Sequence, residues 1–165
     1  MRLSDMAAIR PARFPDDLEQ VRLIFREYAD GLGIDLCFQG FEAELAGLPG
    51  MYAEPQGRVL LAEDEGQVVG CAAMRPLEGA VCEMKRLYVR PAGRGRHLGR
   101  RLATAICRAA KDAGYARMRL DTLASMQAAQ ALYRSLGFRP IPAYVFNPIE
   151  GAVYMELDLG AAQLG

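Results

Sequence analysis

Residues 87–102, with the sequence LYVRPAGRGRHLGRRL, carry the strand-to-helix transition on which the architecture of this chain depends. An apolar strand ends at Val89, Pro91 stops it, and a turn rich in glycine and arginine leads into a helix beginning near Leu98. The first N–H groups of a helix lack partners within it, and the helix dipole favours negative charge there. The pattern therefore predicts an anion site, of the kind that most often holds phosphate.

The surroundings of this turn are strongly basic. Nine Lys or Arg residues and no Asp or Glu lie from Lys85 to Lys111, although the chain has a formal net charge of zero. Such a block creates a local positive potential even in a neutral protein. A solvated helix face is the alternative interpretation. The position of the block around a glycine-rich turn favours a polyphosphate partner.

Length and composition limit the classes of protein to which the chain can belong. The 165 residues, 52% of them apolar and 24% charged, fit a single domain over residues 1–165. One histidine and four cysteines without a C-x-x-C pair make a metal site unexpected. No apolar run is as long as a membrane span, and the first residues lack the apolar segment of a signal peptide. We therefore expect a cytoplasmic protein.

Hydrophobic periodicity predicts the element order β-α-α-β-β-β-α-β-α-β-β. The predicted strands are residues 7–10, 58–63, 67–74, 81–89, 117–122, 138–141 and 153–157. The predicted helices are residues 16–28, capped by Asp16 and ended by Gly31 and Gly33, then 41–48, 98–113 and a helix capped by Ser125 that ends at Leu136. This order describes an antiparallel meander followed by one βαβ crossover, in a mixed sheet with helices on both faces.

The third long strand contains an irregularity. Its apolar residues Met84, Leu87 and Val89 are spaced by three and then by two, whereas an unkinked strand alternates by two throughout. One extra residue near Lys85 or Arg86 restores the alternation, as a β-bulge does. A bulge can end pairing with a neighbouring strand and expose backbone groups to a ligand. The alternative is a strand that changes its buried face.

Residues 83–102, together with the helix end LYRSLGF at residues 132–138, resemble the GNAT superfamily of N-acetyltransferases. The acyl-CoA motif of that family, Q/R-x-x-G-x-G/A, follows a strand that ends in an L-x-V-like sequence. Arg94 and Gly99 match the ends of the motif, and His97 replaces its middle glycine. The resemblance covers nearly the whole chain in element order. It implies the GNAT-like acyl-CoA N-acyltransferase fold, of the α/β class with a mixed, mostly antiparallel sheet.

The resemblance also implies that acetyl-CoA is the acyl donor. Backbone groups of the strand end would pair with the pantetheine arm, the amides of the turn would hold the pyrophosphate, and Tyr133 would protonate the departing thiolate. The cofactor-binding residues implied in this way are Leu87, Tyr88, Val89, Arg94, Gly95, Arg96, His97, Leu98, Gly99, Arg100 and Tyr133. The family often has an asparagine seven residues before this tyrosine, where the present chain has Met126.

Acyl transfer to an amine requires that the amine lose a proton. Glu83, a few residues from the expected thioester position, is the first candidate for the base, and pairing with Lys85 or an arginine is its alternative role. Asp121 is the second candidate, with a capping or turn role as its alternative. A free N–H beside the bulge, near Leu87, would stabilise the oxyanion. The alternative role of Tyr133 is that of a core residue.

The acceptor is expected to contact the segments 31–52 and 142–148. Their aromatic and amide side chains, Phe38, Gln39, Tyr144 and Asn147, suit a small polar molecule better than a long peptide.

Together these inferences predict transfer of an acetyl group from acetyl-CoA to the amine of a small molecule or amino-acid-like substrate, by direct attack in a ternary complex. The alternative is a non-catalytic acyl-CoA-binding sensor or interaction module on the same fold. Nucleic-acid binding is disfavoured because only one aromatic residue, Tyr88, lies among the arginines. No metal, nucleic-acid or membrane partner is expected. The sequence leaves the acceptor, the acyl length and the oligomeric state open, a homodimer included.

Overall fold

The computed structural model describes residues 7–32 and 40–164, which build a seven-stranded sheet with helices on both faces. The strands are β1 (Ala8–Pro11), β2 (Arg58–Asp64), β3 (Gln67–Glu78), β4 (Val81–Val89), β5 (Arg117–Thr122), β6 (Arg139–Ile141) and β7 (Val153–Asp158). The α-helices are α1 (Leu18–Leu32), α2 (Phe41–Ala46), α3 (Leu98–Asp112) and α4 (Gln127–Leu136). Short 3₁₀ turns lie at Gly50–Tyr52 and Pro91–Gly93.

The strand order is β1-β2-β3-β4-β5-β7-β6. All neighbouring strands are antiparallel except β4 and β5, which are parallel and are connected through α3. A parallel pair needs such a crossover, whereas turns connect β2 to β3 and β3 to β4, and α1 and α2 lie between β1 and β2. The predicted meander followed by one crossover is confirmed.

Each face of the sheet carries its own apolar layer. On one face, Leu102 and Ile106 of α3 are fully buried, and Tyr133 and Leu136 of α4 belong to the same cluster. On the other face, α1 contributes Ile24 and Phe25, which are also fully buried, and α2 adds Phe41 and Leu45. The spacing of three or four residues in these helices places the apolar side chains on one stripe that faces the sheet. Both faces are therefore covered, as predicted.

The helix boundaries differ from the prediction in three places. Asp17, not Asp16, directly precedes α1, and its carboxylate accepts the Arg13 N–H at 2.6 Å and pairs with Arg10. Gly31 does not end α1 but lies inside it. Helix α4 begins after Met126 without a side-chain cap, so the predicted cap at Ser125 is wrong. At Asp17 the contacts with Arg10 and Arg13 outweigh the local signal, and nothing in the structure explains the other two differences.

Within residues 7–32 and 40–164, we find no helix with the length and apolar character needed to cross a bilayer.

Candidate active site

The sheet opens between β4 and β5. These strands are in register only from Val81 opposite Arg117 to Glu83 opposite Arg119. Beyond this point β4 continues along β3 and β5 continues along β7. A cleft therefore begins in the middle of the sheet, between the last residues of β4 and those of β5.

A bulge in β4 accompanies this divergence. Lys85 lies opposite Ala73 and Tyr88 lies opposite Cys71. Between these two pairs, β4 therefore contains one residue more than β3. Arg86 has a φ of 61°, in the left-handed region that costs an L-residue about 1–2 kcal/mol. The predicted extra residue near Lys85 or Arg86 is confirmed.

The side chain of Arg86 holds the bulge in place. Its guanidinium donates to both carboxylate oxygens of Glu44 on α2, each at 3.0 Å, and lies over the rings of Phe41 and Tyr28 at 5.1 and 5.7 Å. The Cys71 thiol donates to the Arg86 carbonyl at 3.1 Å. A bidentate pair to a carboxylate is among the strongest hydrogen-bonded contacts in proteins, which offsets the backbone strain.

Beyond the bulge, Val89 presents its backbone away from β3. The Arg90 N–H bonds the Val69 carbonyl of β3 at 2.8 Å, and residues along a strand alternate in direction. The Val89 N–H and C=O therefore face the cleft, where Arg94 Nε lies 3.4 Å from that carbonyl. A groove of about 460 Å³ runs here; its lining residues are Leu87, Tyr88, Val89, Arg94, Ser125, Met126, Gln127, Ala128 and Ala129.

The turn after β4 has the backbone of an anion site. Gly95 and His97 have φ values of 85° and 56°, so His97 adopts the conformation more usual for glycine. The first hydrogen bond of α3 runs from the Arg101 N–H to the His97 carbonyl at 3.0 Å. The amides of Leu98 and Gly99 therefore precede the helix's own ladder and lie at its positive end.

The arginine side chains around this turn differ in their contacts. Arg96 donates to Asp64 at 2.7 Å and to the Ala92 carbonyl at 3.0 Å, so its side chain ties the turn to the β2–β3 hairpin. Arg100 is exposed and donates to the Ser135 hydroxyl at 2.6 Å. Among the residues of the predicted phosphate site, Arg94 and Arg100 thus carry exposed guanidinium groups next to the helix start.

Tyr133 lies at the inner end of the cleft. Its ring packs 5.6 Å from that of Phe138, and the side chain lines a cavity of about 50 Å³. Burial raises the pKa of Tyr133 above its ordinary value, so the hydroxyl keeps its proton at neutral pH. The cavity is lined by Tyr28, Leu32, Met84, Lys85, Arg86, Leu87, Leu120, Asp121, Thr122, Leu123, Met126, Tyr133, Asn147 and Ile149.

The two candidate bases differ in their surroundings. Glu83 is 1% exposed, accepts from Arg75 Nε at 3.1 Å, and is not among the residues that line the cavity in the described part of the chain. Asp121 lines the cavity, lies 3.5 Å from Lys85 Nζ, and accepts from the Asn147 amide at 3.1 Å. Glu83 therefore has the arginine partner that was its alternative role, and Asp121 is the carboxylate at the cavity wall.

These charges form a continuous row of alternating sign under the bulge. Its successive separations are 3.0, 3.9, 3.1, 3.8 and 3.5 Å, and its members in order are Arg86, Glu44, Arg75, Glu83, Lys85 and Asp121. Three positive and three negative groups neutralise one another, which is how buried charges are tolerated.

The predicted acceptor residues divide into two groups. Tyr144 donates to Glu83 and Asn147 to Asp121, so both lie beside the candidate bases. Phe38 and Gln39 lie outside the described residues. Nor do the described residues contain a cluster of three side chains that could hold a metal ion.

Comparison with known proteins agrees with this geometry. The model of the acetyltransferase (GNAT) family matches residues 20–138, which include β4, the glycine-rich turn and α3. The chain belongs to the acetyltransferase (GNAT) family. An uncharacterized N-acetyltransferase of Schizosaccharomyces pombe is 42% identical over 154 residues, covering 92% of this chain and 94% of that protein.

Solved structures of GNAT proteins share the fold. A GNAT-family acetyltransferase from Staphylococcus aureus has a TM-score of 0.76 at 19% identity, over 93% of this chain and 99% of that one. The Salmonella typhimurium protein yncA, solved with its cofactor acetyl-CoA, has a TM-score of 0.64 at 24% identity, over 93% and 94%. The predicted family and fold class are confirmed; the roles of individual residues remain predictions.

Sequence reasoning missed Glu44 and Arg75. Glu44 lies 42 residues from its partner Arg86, and no local spacing links them. Arg75 could have been found, because a hairpin between β3 and β4 brings it directly opposite Glu83. That assignment needs the register of the hairpin, which a second irregularity at Pro76 and Glu78 shifts by one residue.

Proposed function

We propose that this GNAT protein transfers an acetyl group from acetyl-CoA to the amine of a small molecule or amino-acid-like substrate. The observation that carries the proposal is the divergence of β4 from β5 after Glu83, with the bulge at Arg86. It leaves a strand edge, a groove and a helix start in one line. A long ligand with an amide-bearing arm and a diphosphate fits such a line.

The proposed donor site uses backbone more than side chains. Residues 87–89 would pair with the pantetheine arm as a further strand would. The amides from Arg94 to Gly99 would hold the pyrophosphate, with Arg100 beside them. The outward backbone of Val89 and the left-handed residues Gly95 and His97 support this assignment.

When bound, acetyl-CoA supplies the acetyl group as a thioester. In the proposed reaction the acceptor nitrogen forms a bond to the acetyl carbon while the carbon–sulfur bond breaks. Tyr133 gives its proton to the departing sulfur, and an N–H near Leu87 stabilises the oxyanion. Burial raises the pKa of Tyr133, so its hydroxyl carries a proton at neutral pH.

The proton of the acceptor amine passes to a carboxylate. We propose Glu83 as the base, acting through water because its side chain does not line the cavity. Asp121 at the cavity wall is the second candidate. Comparing Glu83→Gln with Asp121→Asn separates them, because the variant that lacks the base should show the larger loss of kcat.

The small volume of the cavity favours a small acceptor group. The cavity of about 50 Å³ offers room for a small group at the reacting end of the acceptor. The amide of Asn147 is the polar group of the 142–148 segment that lines this cavity. It is therefore the side chain of that segment that we expect nearest the acceptor.

Thiol release from acetyl-CoA tests the function directly. The protein, freed of copurified CoA, is incubated with acetyl-CoA and a panel of amines, amino acids and antibiotics, and a reaction without acceptor serves as the control. We expect acceptor-dependent release and, when both substrates are varied, intersecting rate plots typical of a ternary complex. Acetyl-CoA binding without release with any acceptor would favour the sensor instead.

A further inference from the structure

Side-chain contacts hold the loop of residues 142–151, between β6 and β7, on both sides of the exposed Phe146. Tyr144 Oη donates to Glu83 Oε2 at 2.6 Å, and Tyr154 Oη donates to the Val145 carbonyl at 2.7 Å. Phe146 is 83% exposed, and the next residue, Asn147, donates to Asp121. Contacts with Glu83 and Tyr154 thus fix the loop to the sheet, while Phe146 faces solvent.

The contact between Tyr144 and Glu83 completes the surroundings of that carboxylate. Oxygen Oε1 faces the cations, with Arg75 Nε at 3.1 Å and Lys85 Nζ at 3.8 Å. Oxygen Oε2 accepts from Tyr144. The two oxygens therefore have different partners, and a rotation of the carboxylate would break both sets of contacts.

The phenol of Tyr144 is itself held rigidly. Its ring meets that of Tyr154 edge to face at 5.4 Å, and the guanidinium of Arg119 lies 5.5 Å from its centroid. Burial and the charge of Glu83 raise the pKa of Tyr144, so the hydroxyl keeps its proton at neutral pH and can donate. In addition, Tyr144 is not among the residues lining the described cavity.

We infer that Tyr144 is a positioning residue, which orients Glu83 for proton transfer and does not bind the acceptor. The inference rests on the proposed function, in which the proton of the amine ends on Glu83. It replaces the sequence-based expectation that Tyr144 contacts the substrate. A hydrogen-bond donor to one oxygen fixes the rotation of the carboxylate.

The test compares Tyr144→Phe with Tyr154→Phe. Both changes remove one hydroxyl bond from the same loop, but only Tyr144 touches Glu83. For Tyr144→Phe we expect kcat to fall about tenfold and the acceptor KM to stay within about twofold. The groups that face Glu83 otherwise, Arg75 and Lys85, are unchanged, with Asp121 beyond the lysine.

For Tyr154→Phe we expect the kcat of the parent. Equal effects in both variants would mean that loop loosening is the cause and would overturn the inference. A higher acceptor KM with unchanged kcat in Tyr144→Phe would also overturn it, because the tyrosine would then contact the acceptor.

A failure of the proposed function can be distinguished from a failure of the inference about Tyr144. In that case the parent protein itself releases no thiol with any amine, and the inference falls with it. A parent that turns over while Tyr144→Phe behaves identically overturns the inference alone. Acetyl-CoA affinity, measured by calorimetry for all three proteins, should not change in either variant.

Discussion

The two halves of β4 have different partners and different tasks. Residues 81–83 lie between β3 and β5 and are paired on both sides. Residues 86–89 keep β3 but have left β5. The first half is ordinary sheet interior, whereas the second exposes one backbone edge to a cleft. A single inserted residue therefore separates a part of β4 that is paired on both sides from a part that borders the cleft.

The difference depends on the pair between Glu44 and Arg86. Replacing Glu44 by Ala removes the carboxylate that accepts two hydrogen bonds from the buried guanidinium of Arg86 at the bulge. Breaking a buried ion pair at one partner typically costs about 3–5 kcal/mol, and we expect a loss of this size in the free energy of unfolding. Chemical denaturation measures it, and a loss of acetyl-CoA affinity should accompany it.

Glu42→Ala on the same helix is the matched control. Glu42 pairs with Arg26, and both side chains are largely exposed. Such pairs contribute little, so the stability should hardly change. Similar losses for the two variants would show that α2 itself, and not the contact with the bulge, determines stability.

Proline substitutions probe the open edge directly. Val89→Pro removes an N–H that faces the cleft and leaves the pairing with β3 intact. We expect the protein to remain folded while the dissociation constant for acetyl-CoA rises about tenfold, as for one lost hydrogen bond of about 1.4 kcal/mol. Calorimetric titration gives the constant.

Tyr88→Pro, one residue earlier, is the counterpart. Tyr88 lies opposite Cys71, and its backbone faces β3 because it alternates with Val89. This change should destabilise the fold by about 3 kcal/mol. If Val89→Pro unfolds the protein to the same extent, the two edges of the strand do not differ as the structure indicates.

The smallest effect concerns the chemistry within the opened cleft. Tyr133→Phe should lower turnover several-fold and leave acetyl-CoA affinity nearly unchanged, because a thiolate is already a good leaving group and general acid help is modest. Steady-state kinetics and calorimetry together distinguish the two quantities. The control is Tyr115→Phe, which removes a hydroxyl that donates to the Gln56 carbonyl. This variant should match the parent. Unchanged turnover in Tyr133→Phe would remove this tyrosine from the mechanism.

Much of the fold was predictable because its signals are local. Alternation and helical spacing located the strands and helices, and the irregular spacing of Met84, Leu87 and Val89 located the bulge. The errors at Asp16 and Ser125 both concern helix caps, and the structure explains only the first, through the contacts of Asp17 with Arg10 and Arg13. Local patterns predict element types better than element ends, because long-range contacts shift the ends.

The candidate site was less predictable, since its contacts join distant segments. The sequence marked Glu83 as a candidate base but did not indicate that Arg75 and Tyr144 would enclose it. Their positions depend on the register of a hairpin and on a loop more than fifty residues away. Side-chain partners follow from three-dimensional proximity, which no spacing along the chain encodes.

The amino-acid sequence by itself determined the order of elements, the inserted residue in β4 and the glycine-rich start of α3, because each depends on neighbouring residues and their backbone preferences. Only the tertiary structure decided which half of β4 loses its partner, which carboxylate reaches the cavity and which residues stabilise the strained Arg86. These outcomes depend on how separate segments pack together, and burial then determines which charges need a partner.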